Sequence, residues 1–257
     1  MVISILQTQI FILVFTRVLM IMLALPFLGG ALVPSQVKIG FGFLLSMFVF
    51  PWQNSYPASA DAIALVPFAQ AVFHELLIGF LAGMSATMVF ACFQIAAKMM
   101  EMSAGFSSAQ IFNPTLNDTG SAYDQFIMIL VYLFFFAMDG HHIFLIGLQN
   151  TFQVFPVNSP IDKIMALSPE ILLQLFITII GNGVQMALPV VGAILLTDIT
   201  LGLLNKVAPR VQVFFLGINI KVLVGLLGIS LVLSYMMPMM RTMITSIGTL
   251  MVKLIGA

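Results

Sequence analysis

Residues 171–196 read ILLQLFITIIGNGVQMALPVVGAILL, a continuous apolar stretch without a charged side chain. About 30 Å of bilayer core is crossed by roughly 20 apolar residues in a helix, so this stretch is long enough to span a membrane. Its apolar residues are continuous and do not alternate with polar ones, as they would in a barrel strand. Backbone groups in lipid must bond within their own segment, which requires a helix. The stretch therefore predicts a membrane-spanning helix.

The composition of the whole chain agrees with this prediction. Hydrophobic residues make up 61% and charged residues 7% of the 257 residues, against roughly 25% charged residues in soluble domains. So few charges could not cover a soluble surface, and we predict an all-α integral membrane protein whose first apolar segment is a retained span. The net charge is zero, which predicts no nucleic-acid partner. Cys92 is the only cysteine, so an internal disulfide is excluded.

About six apolar segments are expected to form helical hairpins, and several of them are kinked or half-length. We expect the third segment to be a short arm, a kink and then a helix from about Leu76 to Ala97. The fourth, broken by DGHH at residues 139–142, should form two half-length helices, and the sixth should end at Pro238. Broken helices at membrane depth need cover from protein or a water-filled cavity, which indicates a subunit buried among other helices. The six segments are residues 9–28, 37–50, 62–97, 126 onward, 171–196 and 211–237.

Arg17, Glu75 and Lys221 are ionisable residues inside these segments, and Asp139 and Asp198 lie near segment ends. Such residues are costly in lipid and usually face protein or water. One interpretation is a proton or ion relay. The other is buried ion pairing or contact with a partner subunit, and we favour it because the acids share no segment and no repeated pattern.

Other polar residues carry weaker signals. Lys98 and Glu101 are three residues apart and are expected to pair on one helix face. His141 and His142 are adjacent, so on a helix their side chains point about 100° apart and do not easily chelate one metal. We interpret them as a polar hairpin tip with no further ligand set. Because no nucleophile motif, phosphate loop or metal-ligand spacing is found, we predict no enzyme activity, cofactor or metal.

The middle of the chain carries a long segment of small, polar residues, EMSAGFSSAQIFNPTLNDTGSAYDQF at residues 101–126. No charge occurs from Met102 to Asn117. Gly105 and Pro114 allow the backbone to bend without a regular helix. On composition alone, a surface loop could be equally polar.

Four stretches of the chain resemble the FliR family of flagellar biosynthetic proteins, which has a counterpart in virulence type III secretion systems. The most specific is NKVAPRVQVFFLGINIKVLVGLLGISL at residues 205–231, with Ala208-Pro209 and Lys221. Departures from the family pattern are modest: Asn113 stands where the family often has Asp, and Thr151 where it often has Ser. The other three stretches are VPSQVKIGFGFLLSMFVFP at 33–51, EMSAGFSSAQIFNPTLNDTG at 101–120 and DGHHIFLIGLQNTFQVFPV at 139–157.

The resemblance implies a non-enzymatic subunit of the flagellar type III secretion export gate, in the bacterial inner membrane at the flagellar basal body. Such a subunit joins FliP-like and FliQ-like proteins in the pore for unfolded export substrates, and an FlhB-like protein binds around it. The family fold implies a single export-gate domain with a FliP-like part over residues 1–165 and a FliQ-like helical hairpin over residues 166–257. The alternative is a secondary transporter or ion carrier of the inner membrane, but the internal repeats usual in that class are not evident.

Arg17, Glu75, Lys98, Glu101 and Lys221 are expected, from their positions and spacing, to be buried polar or assembly residues, and Pro209 of the most specific stretch joins them. The resemblance also implies a role for the central loop. The central loop is expected to plug the closed channel with Gly105, Phe106, Ser107, Ser108, Ala109, Gln110, Ile111, Phe112, Asn113 and Pro114.

Overall fold

A computed structural model describes residues 5–29, 33–53, 62–106, 122–157, 169–208 and 213–253. Helices dominate these ranges and no β-strand occurs within them, so the prediction of an all-α fold is confirmed. A 3-10 turn at Phe50–Gln53 follows the third helix. The α-helices are α1 (Ile5–Ala24), α2 (Pro26–Gly29), α3 (Ser35–Val49), α4 (Leu65–Ala104), α5 (Ala122–Ala137), α6 (Gly140–Val154), α7 (Pro169–Val207) and α8 (Val213–Lys253).

Four apolar stretches of helix in the described ranges are long enough to cross a membrane: α1, α4, Leu173–Val207 of α7 and Leu216–Ser234 of α8. Helices α5 and α6 form a fifth, broken candidate, because they are bent by 72° at a short break. Asp139 lies in that break with a left-handed backbone, φ 55°, a conformation that Asp tolerates better than most residues. The prediction of two half-length helices around DGHH is confirmed.

The expected kink in the third apolar segment is wrong, because α4 runs unbroken from Leu65 to Ala104. Pro67 lies in the first turn, where backbone N–H groups have no partner within the helix, so proline costs no hydrogen bond there. Gly79 and Gly83 also lie within this uninterrupted helix. A Cβ atom at Gly79 would lie 2.9 Å from the carbonyl oxygen of Arg17, so this glycine permits close packing of α1 against α4.

The expected end of the sixth segment at Pro238 is also wrong, since α8 continues through it to Lys253. Proline removes one hydrogen bond from a helix interior. The stripe of buried side chains nevertheless continues at helical spacing on both sides, through Met236, Met240 and Ile244. Packing of this stripe preserves the helix across the lost bond. Helix α7 similarly passes through Pro189 and extends to Val207, so Asp198 lies inside a helix and not at its end.

The chain divides into two compact units, and the first comprises Met1–Phe90, Asp139–Leu175 and Ile244–Ala257. In this unit α1 contributes a fully buried stripe that includes Leu13, Val14 and Ile21. Phe11 of α1 meets Phe43 of α3 edge to face, with ring centroids 5.3 Å apart. These contacts place α1 in the interior of the unit.

The second unit comprises Ala91–Met138 and Phe176–Met243. Its helices approach each other closely at glycines. A Cβ atom at Gly183 of α7 would lie 2.8 Å from the carbonyl oxygen of Cys92 in α4, and one at Gly228 of α8 would lie 2.9 Å from Val190 of α7. Replacing these glycines would force the helices apart, because such distances leave no room for a methyl group.

Candidate functional site

The two ends of the small, polar segment 101–126, which contains the central loop, meet in the second unit. Gly105 and Phe106 follow α4 directly, and Gly105 has φ 81°, a left-handed conformation that glycine adopts freely. The Phe106 ring stacks on the Tyr123 ring near the start of α5, with centroids 4.8 Å apart and planes 27° apart. The remaining predicted plug residues, Ser107 to Pro114, lie outside the described residues.

Helix α8 supports this junction through Gly225. The Tyr123 hydroxyl donates a hydrogen bond to the carbonyl oxygen of Gly225 at 3.2 Å. A Cβ atom at Gly225 would lie 2.7 Å from Cβ of Ala104 and 3.6 Å from the Phe106 ring. The end of α4, the start of α5 and the middle of α8 are therefore held together by Phe106, Tyr123 and Gly225, which we call the loop clasp.

Charged side chains lie beside the loop clasp. Lys98 Nζ is 3.1 Å from Glu101 Oε2, and Glu101 is fully buried whereas Lys98 is partly exposed. Asp124 stands in the first turn of α5, and the charges of Glu101 and Lys98 both act on it. The expected Lys98–Glu101 pair is thus present in the structure, while its role in assembly stays a prediction.

Arg17 and Glu75 form a buried ion pair in the first unit. Arg17 Nε is 2.5 Å from Glu75 Oε2, and both side chains are excluded from solvent. Arg17 Nη1 donates to the carbonyl oxygens of Thr151 at 3.0 Å and Phe155 at 2.7 Å, and the guanidinium carbon lies 4.3 Å from the centroid of the Phe152 ring. We call this set the arginine cluster.

Arg17 lies beside the C-terminal end of α6, and this position explains why it bonds to backbone carbonyl groups. The carbonyl groups at the C-terminus of a helix lack partners within that helix and carry partial negative charge. At the end of α6, Arg17 satisfies the carbonyl group of Phe155 and is a second donor to that of Thr151, which already accepts the Phe155 N–H at 3.0 Å. The charge of Arg17 is neutralised by Glu75 of α4. One cation thereby ties α1, α4 and α6 together, and no water or substrate path is needed to account for its burial.

Lys221 has a partner in the second unit. Its Nζ atom is 2.5 Å from Asp198 Oδ1, so this pair joins α8 to α7. Both side chains are partly exposed, and around them α7 and α8 expose large apolar side chains. Pro209, the other predicted assembly residue of this region, lies outside the described residues. The exposed apolar side chains of α7 and α8 include Leu195, Leu196, Leu203, Leu223 and Leu227.

The DGHH corner differs from the expectation for adjacent histidines. The rings of His141 and His142 lie 4.2 Å apart, and Asp139 Oδ1 is 3.5 Å from Nδ1 of His142. The ligand atoms of these three residues lie within 4.8 Å of one another. The turn thus brings the Asp139 carboxylate beside the two histidines, which the sequence did not indicate, while the prediction that this corner holds no metal stays a prediction. Asp139 and His142 are largely exposed, as expected for a polar hairpin tip.

Sequence reasoning missed Tyr123, Asp124 and Gly225. Asp124 is the last acid before a long apolar run, which is a detectable signal for a buried charge. Gly225 and Gly228 are three residues apart in an apolar helix, a spacing that permits close helix contact. Tyr123 carried no signal, since its hydroxyl bonds to a backbone carbonyl distant in sequence.

Comparison with known proteins identifies the relatives of the chain. The family described as bacterial export proteins, family 1, matches residues 8–247. A flagellar biosynthetic protein FliR of Pectobacterium carotovorum is 28% identical over 224 residues, covering 87% of this chain and 84% of that protein. The FliR protein of Aquifex aeolicus is 28% identical over 211 residues, covering 82% of this chain and 80% of that protein. The Escherichia coli FliR protein is 25% identical over 241 residues, covering 93% of this chain and 90% of that protein.

Proposed function

Since the chain belongs to the family of bacterial export proteins, family 1, we propose that it is a non-enzymatic subunit of the flagellar type III secretion export gate. The observation that carries this proposal is the family match over residues 8–247. Relatives named flagellar biosynthetic protein FliR cover most of the chain and support a role in flagellar export. Its long apolar helices indicate a membrane-embedded component, and we place it in the bacterial inner membrane.

In this proposal the subunit assembles with FliP-like and FliQ-like proteins into the pore for unfolded export substrates, with an FlhB-like protein bound outside. The exposed leucines of α7 and α8 form an apolar surface that lipid or partner helices must cover. Residues 1–165 form the FliP-like part and residues 166–257 the FliQ-like hairpin. The Lys221–Asp198 pair then ties the two arms of the hairpin to each other.

The assembly residues act by holding helices in fixed positions. The arginine cluster fixes α1, α4 and α6, and the Lys98–Glu101 pair lies at the base of the central loop. Lys221 and Pro209 are anchors of the hairpin. A residue that holds helices in place affects the yield of the assembled gate more than its choice of substrate.

The central loop, residues 105–114, plugs the closed channel. It carries no charge, so it presents no group that stabilises a passing ion. Its described beginning, Gly105 and Phe106, is held by the loop clasp. A plug attached at its base can yield to a passing polypeptide and then return to the same position.

Shortening residues 105–114 tests the plug. The shortened chain is expressed with the FliP-like and FliQ-like subunits, and ion leakage across the inner membrane is followed with a potential-sensitive dye. We expect a clear increase in leakage, because the barrier in the lumen is removed. A deletion within the polar segment 54–60 is the control and should leave leakage unchanged. Unchanged leakage from a normally assembled gate with the shortened loop would contradict the plug.

A further inference from the structure

The first unit carries an apolar groove where the end of α1, the short helix α2 and the start of α3 meet. The volume of the groove is about 230 Å³, and its wall includes Leu23 of α1, Leu28 of α2 and Phe41 of α3. The side chains of Leu23 and Phe41 are 40% and 45% exposed. An apolar cavity of roughly 150 Å³ stays free of water and binds small hydrocarbons. The groove is therefore large enough to take part of a hydrocarbon chain.

Lys38 is the charged residue in the wall of this groove. Its Nζ atom donates a hydrogen bond to the carbonyl oxygen of Gly29, at the end of α2, at 3.0 Å. The aliphatic chain of a lysine packs on apolar surface while its ammonium group reaches towards a polar region. The ammonium group has three donors, and a carbonyl oxygen brings no formal charge to it. One end of the apolar groove is thus marked by a positive charge.

The charges of the neighbouring sequence have the same sign. Arg17 and Lys38 are the only charged side chains among residues 1–60, which contain no Asp or Glu. Arg17 is paired with Glu75 of α4 in the interior of the unit. Basic residues beside membrane helices bind the anionic headgroups of lipids. A negatively charged amphiphile therefore complements both the apolar wall and the cation of the groove.

An exposed apolar stripe on α3 continues from the groove. The stripe begins with the groove residues Val37 and Phe41 and follows helical spacing along one face. Its full extent, at an axial rise of 1.5 Å per residue, is about 16 Å, close to half of the roughly 30 Å bilayer core. A hydrocarbon chain that enters the groove can follow this face over the depth of one leaflet. The members of the stripe are Val37, Phe41, Leu44 and Phe48, each at least 45% exposed.

The dimensions favour a lipid over a partner helix in the groove. An α-helix with its side chains is about 10–12 Å wide, whereas a groove of about 230 Å³ has room for a single hydrocarbon chain. We propose that the groove binds one acyl chain of an anionic phospholipid, whose phosphate group is held by the Lys38 ammonium group. Such a lipid stabilises the folded chain, because the site exists only where α1, α2 and α3 are packed together.

Lipid titration of the full chain in detergent micelles tests the site. The anionic probe is dioleoyl phosphatidylglycerol, and the neutral probe is dioleoyl phosphatidylcholine, which has the same acyl chains. Native mass spectrometry counts the bound lipids, and thermal unfolding reports their stabilising effect. We expect one phosphatidylglycerol to bind and to raise the unfolding temperature. Phosphatidylcholine should bind about fivefold more weakly, as expected for the loss of one lysine–headgroup attraction.

Lys38→Gln tests the contact with the headgroup. This variant should bind phosphatidylglycerol about fivefold more weakly than the wild type and should no longer distinguish the two lipids. Lys206→Gln is the matched control, because it removes an exposed cation at the end of α7 in the other unit. The control should retain the wild-type preference. Unchanged affinity of Lys38→Gln for phosphatidylglycerol would contradict the proposed contact.

Val37→Trp tests the groove itself. The larger side chain should occupy the groove and weaken the binding of both lipids. Ile39→Trp is the control, since Ile39 is similarly exposed on α3 but does not line the groove. Equal binding by these two variants would place the lipid elsewhere on the surface.

Two further outcomes would overturn the proposal. Equal affinity of the wild-type chain for the two lipids would refute an anionic ligand, and this result needs no variant to fold. Loss of the bound lipid from the gate assembled with FliP-like and FliQ-like proteins would assign the groove to a partner helix. The site rests on the membrane location of the chain and not on the proposed export role, so the failure of one leaves the other standing.

Discussion

Arg17 pairs with Glu75 and donates to two backbone carbonyl groups, so its replacement has a definite expected cost. Arg17→Met would remove the cation next to the buried Glu75 carboxylate. Removing one partner of a buried pair typically costs about 3–5 kcal/mol. We expect the free energy of unfolding to fall by about that amount, measured by denaturant titration in detergent micelles.

The matched variant replaces both partners. In Arg17→Met/Glu75→Met no charge remains buried, and replacing a whole buried pair by apolar residues is often close to neutral. Recovery should be partial, because the carbonyl group of Phe155 still loses the Arg17 donor and that of Thr151 keeps only the Phe155 N–H. A double variant less stable than Arg17→Met would contradict the charge argument, since it would mean that loss of the neutralising cation is not what destabilises the single variant.

At this scale the sequence revealed the charged residues of the apolar segments but, apart from the Lys98–Glu101 pair, not their partners. Arg17, Glu75 and Lys221 were identified because ionisable side chains are rare in apolar segments. The acceptors of Arg17 at Thr151 and Phe155 are backbone carbonyls, which every residue possesses and which therefore leave no mark in the sequence. The approach of Asp139 to the His141–His142 pair was not predicted for a similar reason, because the left-handed turn at Asp139 cannot be read from residue types alone.

Replacement of Pro238 tests whether α8 is one continuous helix. Pro238→Ala restores the missing N–H donor in a helix that continues to Lys253. Proline inside a helix costs up to about 3 kcal/mol relative to alanine, so the variant should unfold at a higher temperature. Pro67→Ala is the control, since Pro67 occupies the first turn of α4 and no hydrogen bond is gained there. An equal effect of both changes in thermal unfolding would refute a continuous α8.

The packing of α1 against α4 gives a second prediction at this scale. A Cβ atom at Gly83 would lie 2.5 Å from Cβ of Ala24, and overpacking of this kind costs about 1–3 kcal/mol. Gly83→Ala should therefore reduce stability in denaturant titration. Gly40→Ala is the control, because nothing lies within 4 Å of that position. It should be neutral or slightly stabilising. Equal stability of the two variants would show that α1 and α4 are not in contact at Gly83.

The helical type of the elements and the long helices followed from apolar runs, whereas helix ends did not. The break at DGHH was found because polar and small residues interrupt an apolar stretch. The start of α4 and the end of α8 were missed, because a kink was expected before Leu76 and the sixth segment was expected to end at Pro238. Proline is tolerated in a first turn, as at Pro67 of α4. At Pro238 a buried stripe on both sides outweighs one lost bond, so tertiary packing decided that case.

At the scale of the whole molecule, the resemblance to the FliR family is confirmed by the match over residues 8–247. Composition alone predicted a membrane protein, because 7% charged residues cannot cover a soluble surface. The division into parts 1–165 and 166–257 stays a prediction, as does the plug, most of which lies outside the described residues. Partners cannot be derived from exposed leucines, since lipid and protein helices cover such a surface equally well.

Co-purification tests the central claim most directly. The tagged chain is expressed together with the FliP-like and FliQ-like proteins, extracted in mild detergent, and the mass of the complex is measured. We predict that one species contains all three proteins in a fixed ratio. A stable monomer that leaves both partners behind and moves a small solute into lipid vesicles would contradict the export-gate assignment and favour a transporter.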